Sequence, residues 1–378
     1  MKIWVIGRHY PALNNRMRGS FEIEQAKMLA RGGHEVTYIA VVFQFYKKIR
    51  NWGFTSWTEE GITICGYSHP FFPERMNIEM RRFRAAVQKK ALRRVKELVG
   101  VPDIIHVHYP TMIFDAEAVF EYKKLGCRVF CTEHWTAVQA KTINKKHIEQ
   151  LKKYVEGANG FICVGEPLRE AVQEITQTEK SIEVIPNIVS DLFFPIEREK
   201  ALCRFEYIVV CRLVKVKQVS KVIEAFARVA ELRRDVRLSV IGTGEELGFL
   251  MSQSSMLGID SLVEFTGAIQ RTEVAKRIQE SDCLICFSSL ETFGVPVIEA
   301  WACGIPVIAS DAVGFKEYWR DGLGFIIDRN DVDGLVECML AMLDFKPDKE
   351  MISRYCQEHF SEDVIRRQLE AIYSRETE

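Results

Sequence analysis

The chain is 378 residues long, 47% apolar and 27% charged, with a formal net charge of −1. That length is too great for one ordinary core and implies about two domains, and the composition excludes a disordered or fibrous chain. No apolar run approaches the roughly 20 residues that a membrane-spanning helix requires, and MKIWVIG enters a strand pattern at once, so no signal peptide and a cytoplasmic location are expected.

In chain order, short apolar runs predict strands over 3–6, 36–40, 104–107, 128–131 and 161–164. The second half adds 207–211, 237–241, 263–266, 283–287, 306–309 and 324–327. Helical periodicity predicts helices over 20–31, 77–99, 217–232, 272–280 and 332–343, with a last one over 363–374. Alternating helices and near-continuously apolar strands predict an α/β chain with parallel sheets covered on both faces. Two doubly wound domains fit the length. The break falls in IPNIVSDLFFPIEREK, where a Pro-Asn turn, Pro195 and an aperiodic charged stretch follow one another. This gives domains over 1–195 and 196–360. Residues 1–195 carry a charge of +7 and the rest −8. A basic first half suits an anionic acceptor or membrane surface, or is simply uneven charge.

In the first half, candidate residues gather at strand ends. The loop after the first strand holds Arg16, Arg18 and Gly19 just before an amphipathic helix; the arginines either hold an acceptor phosphate or are solvated. Phe43, Phe45, Tyr46, Trp52, Phe54 and Trp57 interleave with Lys47, Lys48 and Arg50, and the following helix adds Arg82, Arg84, Lys89, Lys90, Arg93 and Arg94. Rings among cations suit the headgroups of an anionic inner membrane leaflet. The alternative is core packing beside a solvated face. In DIIHVH, His108 lies nearer the strand end and is read as lining an acceptor site, His106 as packing. His134 follows a strand in CTEHW. No cluster of carboxylates or cysteines accompanies these histidines, so no metal is expected. The eleven cysteines are scattered, many in apolar runs, as buried thiols in a reducing compartment would be.

In the second half, Arg212 and Lys217 follow the strand 207–211. Cations beyond the C-terminal end of a parallel strand lie where open α/β sheets bind ligands. Arg212 can fork onto phosphate oxygens. Lys217 stands at a helix start, a place unfavourable to a cation unless an anion arrives. Lys215 reads as solvent-facing. Gly242 and Gly244 form a turn that lacks the remaining features of a dinucleotide fingerprint. In SSLETFGVPVIEAWACGIPVIAS, Glu291 and Glu299 flank the turn Phe293-Gly294-Val295-Pro296. Pro296 suits a first helical position. The amides of Gly294 and Val295 would then project from a positive helix end as an anion site. Carboxylates accept hydrogen bonds from diols, so one turn with an acid on each side suits both ends of a nucleoside diphosphate sugar. Ser288 and Ser289 either touch the phosphates or cap the turn.

This segment resembles the E-x7-E signature of retaining glycosyltransferases of family four. CRLVKVK, VEFTG, IPNIVSD and His134 extend the resemblance over essentially the whole chain. It implies the α/β GT-B fold, two Rossmann-like doubly wound parallel-sheet domains facing a central cleft. The first would bind the acceptor and the second the donor, with 361–378 packed back on the first. It further implies that Glu299 holds the ribose, Glu291 and His134 contact the donor sugar, and Arg212 and Lys217 bind the diphosphate. Gly19 and Gly242 would approach the donor, Val263 and Phe265 would present backbone to the nucleobase, and Phe293, Gly294 and Val295 would form the phosphate turn. The implied activity is retaining, metal-independent and cofactor-free transfer from a nucleotide-sugar, a UDP-sugar, to a glycan or lipid-linked acceptor in cell-surface polysaccharide synthesis. No nucleic-acid partner is implied. GT-B domains host other chemistries, so a nucleotide-sugar epimerase or phosphorylase and a non-catalytic partner subunit remain the competing readings.

Overall fold

Lys2–Gly7 forms strand β1, five of whose six residues are buried. The structure is a computed structural model that describes residues 1–8, 20–45, 52–71, 79–197, 204–312, 314 and 316–375. Arg16, Arg18 and Gly19 lie outside the described residues, as do Tyr46, Lys47, Lys48 and Arg50. The chain divides into one unit of residues 1–188 and 365–378 and another of 189–364.

The first unit continues with β2 Glu35–Phe45, β3 Gly53–Glu59, β4 Ile62–Phe71, β5 Ile104–His108, β6 Arg128–Glu133, β7 Gly160–Cys163 and β8 Glu183–Val184. Their order is β3-β4-β2-β1-β5-β6-β7-β8. All pairs are parallel except β3 with β4. That hairpin was not foreseen. It closes through Glu60 and Gly61, with φ of 46° and 79°, the double left-handed turn whose twist suits a hairpin.

The hairpin decides between the two readings of the aromatic stretch, in favour of core packing for three of its rings. Trp57 packs on the main core of the unit, and Phe43 and Phe54 pack against Tyr67, Val87 and Ala91. Trp52 does stay exposed, at 47%. Among the described residues, no helix is long and apolar enough to cross a membrane. The helix Glu362–Ser374 sends Ile365, Leu369, Ile372 and Tyr373 into the same core as β1 and β2.

Among the described residues the second unit has six strands, all parallel: β9 Phe205–Val210, β10 Val236–Ile241, β11 Val263–Gly267, β12 Cys283–Cys286, β13 Val307–Ser310 and β14 Gly324–Ile327. Their order is β11-β10-β9-β12-β13-β14. The helix Val219–Leu232 covers β9 because Val219, Val222, Ile223, Phe226 and Val229 recur at helical spacing and all are buried. Each sheet reverses its strand order beside its first strand, between β1 and β5 and between β9 and β12. In open α/β sheets such switch points open a crevice at the carboxyl ends of the strands, where ligands bind.

Candidate active site

The second-unit switch point is stitched by backbone. The amide of Ser289, after β12, donates to the Val216 carbonyl, in the loop after β9, at 2.8 Å, and the Ser289 hydroxyl donates to the same oxygen at 3.2 Å. This seam sets Lys217 against Glu291. Lys217 Nζ pairs with Glu291 Oε2, to which the Ser288 hydroxyl also donates at 3.4 Å. Burial disfavours the Lys217 ammonium, but the Glu291 carboxylate outweighs it and the lysine pKa is raised. Arg212 is exposed and makes no ion pair among the described residues, and Lys215 is exposed as expected. Burial pushes the Cys211 and Cys286 thiols up to about 12, so neither is a nucleophile near neutral pH.

Gly294 caps the helix Val295–Ala302 with φ 104° and ψ 54°, a left-handed conformation that favours glycine. Pro296 is the second helical residue, not the first, and no side chain caps the helix start. Phe293 is 1% exposed, and its ring lies 5.9 Å from that of Phe360, so the ring anchors the turn in the core. Glu299 is 2% exposed and pairs with Arg271 Nη2 at 2.8 Å. The Arg271 guanidinium in turn lies 5.1 Å from the centroid of the Phe193 ring. Arg271 was missed in the sequence. It opens the helix Arg271–Gln279, and a cation at a helix start is the same anomaly that singled out Lys217.

Gly242 shapes the site from behind. A Cβ on Gly242 would collide with the Cys211 carbonyl, and its φ is 141°. Beside it, the Leu213 amide donates to the Thr243 carbonyl at 3.0 Å. The glycine turn thus carries the Arg212 loop on its backbone. Val263 and Phe265 lie on β11, the outer strand, so one row of its backbone groups has no partner strand among the described residues. That geometry suits backbone recognition of a base edge.

In the first unit, residues leaving β1, β5 and β6 converge. His108 Nδ1 and His134 Nε2 are 2.9 Å apart. His106 Nδ1 lies 2.6 Å from Tyr373 Oη, and its Nε2 lies 2.7 Å from Thr132 Oγ1. His106 is therefore a packing residue. His108 is also fully buried and meets His134, not a surface, which corrects its reading as a direct acceptor contact. His134 is 5% exposed, with Tyr109 stacked on it at 4.8 Å. Burial lowers all three imidazole pKa values, that of His106 to about 3, so all are neutral at pH 7. The wholly buried Glu133 carboxylate accepts from the amides of His134 and Trp135, each at 2.9 Å, and pins the turn that carries His134. Arg8, beyond β1, pairs with the buried Glu22 at 2.7 Å.

Two doubly wound α/β units with polar residues at both switch points fit the GT-B fold, and the comparisons with known proteins show the family. Residues 23–191 match the family model described as Glycosyltransferase Family 4, and 196–359 match that of Glycosyl transferases group 1. The chain belongs to glycosyltransferase family four. It is 24% identical to N-acetyl-alpha-D-glucosaminyl L-malate synthase of Bacillus anthracis, over 96% of this chain and 94% of that one. In fold it is similar to sucrose-phosphate synthase from Thermosynechococcus elongatus, with a TM-score of 0.77, 18% identity, and coverage of 99% of this chain and 98% of that one. It is also similar to Anabaena HepE in complex with UDP-glucose, with a TM-score of 0.71, 16% identity and 99% of each chain covered.

Proposed function

We propose that the chain is a retaining glycosyltransferase that moves a sugar from a UDP-sugar to a hydroxyl of a glycan or lipid-linked acceptor, at the cytoplasmic face of a membrane. The observation that carries this reading is the meeting of Lys217 and Glu291 across the β9/β12 switch point, beside Arg212 and the start of the helix Val295–Ala302. In the proposed complex the diphosphate takes Arg212, Lys217 and the amides of that helix. These charges neutralise the leaving group as it departs, so no metal is required. Glu299, oriented by Arg271, accepts from the ribose diol, and Glu291 accepts from the sugar hydroxyls.

A double displacement would need a carboxylate nucleophile at the anomeric carbon, whereas this reading assigns Glu291 and Glu299 to donor hydroxyls. The reading is therefore front-face substitution. The bond from the anomeric carbon to the phosphate oxygen breaks, the acceptor oxygen bonds on the same face, and the departing phosphate oxygen takes the acceptor proton. His134, neutral, orients the sugar and is not the base. The Bacillus relative's name carries an α-linked N-acetylglucosaminyl group, which makes UDP-N-acetylglucosamine the first donor to test and L-malate an additional acceptor.

A thermal-shift screen over UDP-, GDP- and ADP-sugars tests the donor, since ligand at 100 times its dissociation constant adds about 2.7 kcal/mol. NMR of the product tests retention, and a β product from the α donor overturns it. Donor consumption without any acceptor would turn the reading toward the epimerase.

A further inference from the structure

The strand order of the first unit reverses between β1 and β5, and the residues that leave those strands form one cluster. Arg8 directly follows β1. Its Nε donates to Glu22 Oε1 at 2.7 Å, and Glu22 is wholly buried in the first turn of the helix Ser20–Arg31. The guanidinium carbon lies 3.7 Å from the centroid of the Tyr109 ring and 5.4 Å from that of Phe21. Neither Nη group has a hydrogen-bond partner among the described residues, and the side chain keeps 21% of its exposure. The arginine is thus clamped at one edge and across one face, while its Nη edge meets no partner among the described residues.

A simple structural ion pair would not require the rest of this arrangement. Tyr109 holds φ 50° and ψ 48°, a left-handed conformation costly for a bulky residue, and does so immediately before Pro110. Such strain gathers at ligand clamps and active sites. Glu22 Oε2 and His134 Nδ1 are buried with no hydrogen-bond partner among the described residues, although buried polar groups nearly always find one. The positive end of the helix Ser20–Arg31 lies beside the same guanidinium and favours an anion there.

We propose that Arg8 binds an oxyanion carried by the acceptor, a carboxylate or a phosphate, through its free Nη edge, with Tyr109 fixing the guanidinium plane. The word acceptor rests on the transferase reading; the anion site itself does not.

The full chain, saturated with UDP to occupy the phosphate-binding cations of the second unit, is titrated calorimetrically with inorganic phosphate and with succinate. At least one should bind saturably, and which one does identifies the source of the oxyanion. Arg8→Lys keeps the charge but loses the fork, and Arg8→Gln loses both. Each should bind the anion about ten- to a hundredfold more weakly while UDP affinity is unchanged. Mapping phenylglyoxal modification of Arg8 in the unaltered chain gives an independent reading, with the anion slowing the reaction. Binding of neither anion, unchanged binding in the folded variants, or unprotected Arg8 overturns the proposal. Failure of UDP to bind would sink the donor reading alone, because the Arg8 variants still report where the anion sits.

Discussion

Both switch points carry a cation–carboxylate pair, but the two pairs are built differently. Lys217 comes from the loop after β9 and Glu291 from the segment after β12, so that pair spans the switch point; its side chains are 21% and 12% exposed. Arg8 and Glu22 belong to one passage from strand to helix, and the carboxylate is wholly buried. Rings from Tyr109 and His134 fill the other side. A pair that spans two segments can exchange a partner for a ligand with little rearrangement. A pair whose acid is buried cannot release it without leaving an uncompensated charge. The second unit therefore holds a labile pair suited to a leaving group whose charge changes, and the first a fixed mount suited to positioning.

The largest effect expected from this contrast is kinetic. Lys217→Ala should lower kcat for sugar transfer by about 10²–10³, the usual cost of one lost charge-stabilising contact in the transition state. If turnover stays near normal while the melting temperature falls, Lys217 is a fixed mount too and the contrast collapses.

The next effect belongs to the first unit alone. Burial pushes the His106 imidazole down to about 3 in the folded chain, against an unperturbed value of about 6.5. The unfolded chain takes up the proton first, so this stability is fully present above about pH 6.5 and is lost as the pH falls toward 3. The slope is about 1.4 kcal/mol per pH unit, so near pH 5 roughly 2 kcal/mol is gone. Glu22 and Glu133, whose carboxyls burial raises, act in the opposite sense. The difference between wild type and His106→Gln isolates the histidine. Urea midpoints from pH 7 to 5 should fall less steeply in the variant, and parallel slopes would refute the assignment.

Third in size is a split between the two acids of the second unit. Glu299→Gln should weaken free UDP about tenfold, the worth of a single charge-assisted hydrogen bond, because its proposed partner is the ribose. Glu291→Gln should spare free UDP and slow transfer, because its proposed partner is the sugar. Calorimetry with UDP and kinetics with intact donor separate the two outcomes, and equal losses of UDP affinity would contradict the division.

What was legible in the sequence was local. Parallel strands announced themselves as apolar runs, and the positions beyond β9 and β12 stood out because cations, glycines and acids cluster where a strand gives way to a helix. Contacts between distant segments were not legible. Lys217 and Glu291 are 74 residues apart and Arg271 and Glu299 sit on separate helices, so only the fold reveals that each acid is already paired. The β3–β4 hairpin escaped because its turn is Glu60-Gly61, without the asparagine or aspartate that usually signals such a turn. Without it, the sequence left its aromatic residues open between a headgroup-facing surface and core packing. His108 was read as ligand-facing from its place at a strand end, yet the neighbouring strand brings His134 across it.

The smallest effect concerns two backbone positions that the switch points share. Tyr109 and Gln218 both hold left-handed conformations, with φ of 50° and 49°. The left-handed region costs a non-glycine residue about 1–2 kcal/mol. At Gln218 nothing visible offsets that cost, and its side-chain Oε1 is buried without a partner among the described residues. Gln218→Gly removes both penalties and adds about 0.4–1 kcal/mol of unfolded-chain entropy. A net stabilisation of about 0.5–1 kcal/mol should remain, visible as a higher urea midpoint with unchanged m-value. Tyr109→Gly relieves the same backbone strain but removes the ring that clamps Arg8 and stacks on His134, so it should destabilise the chain. Opposite signs at the two positions would show that the first unit holds its strain for a purpose its side chains serve, while the second merely tolerates it. If both substitutions stabilise the chain, the strain at Tyr109 is incidental as well, and the case for a fixed mount loses its backbone support.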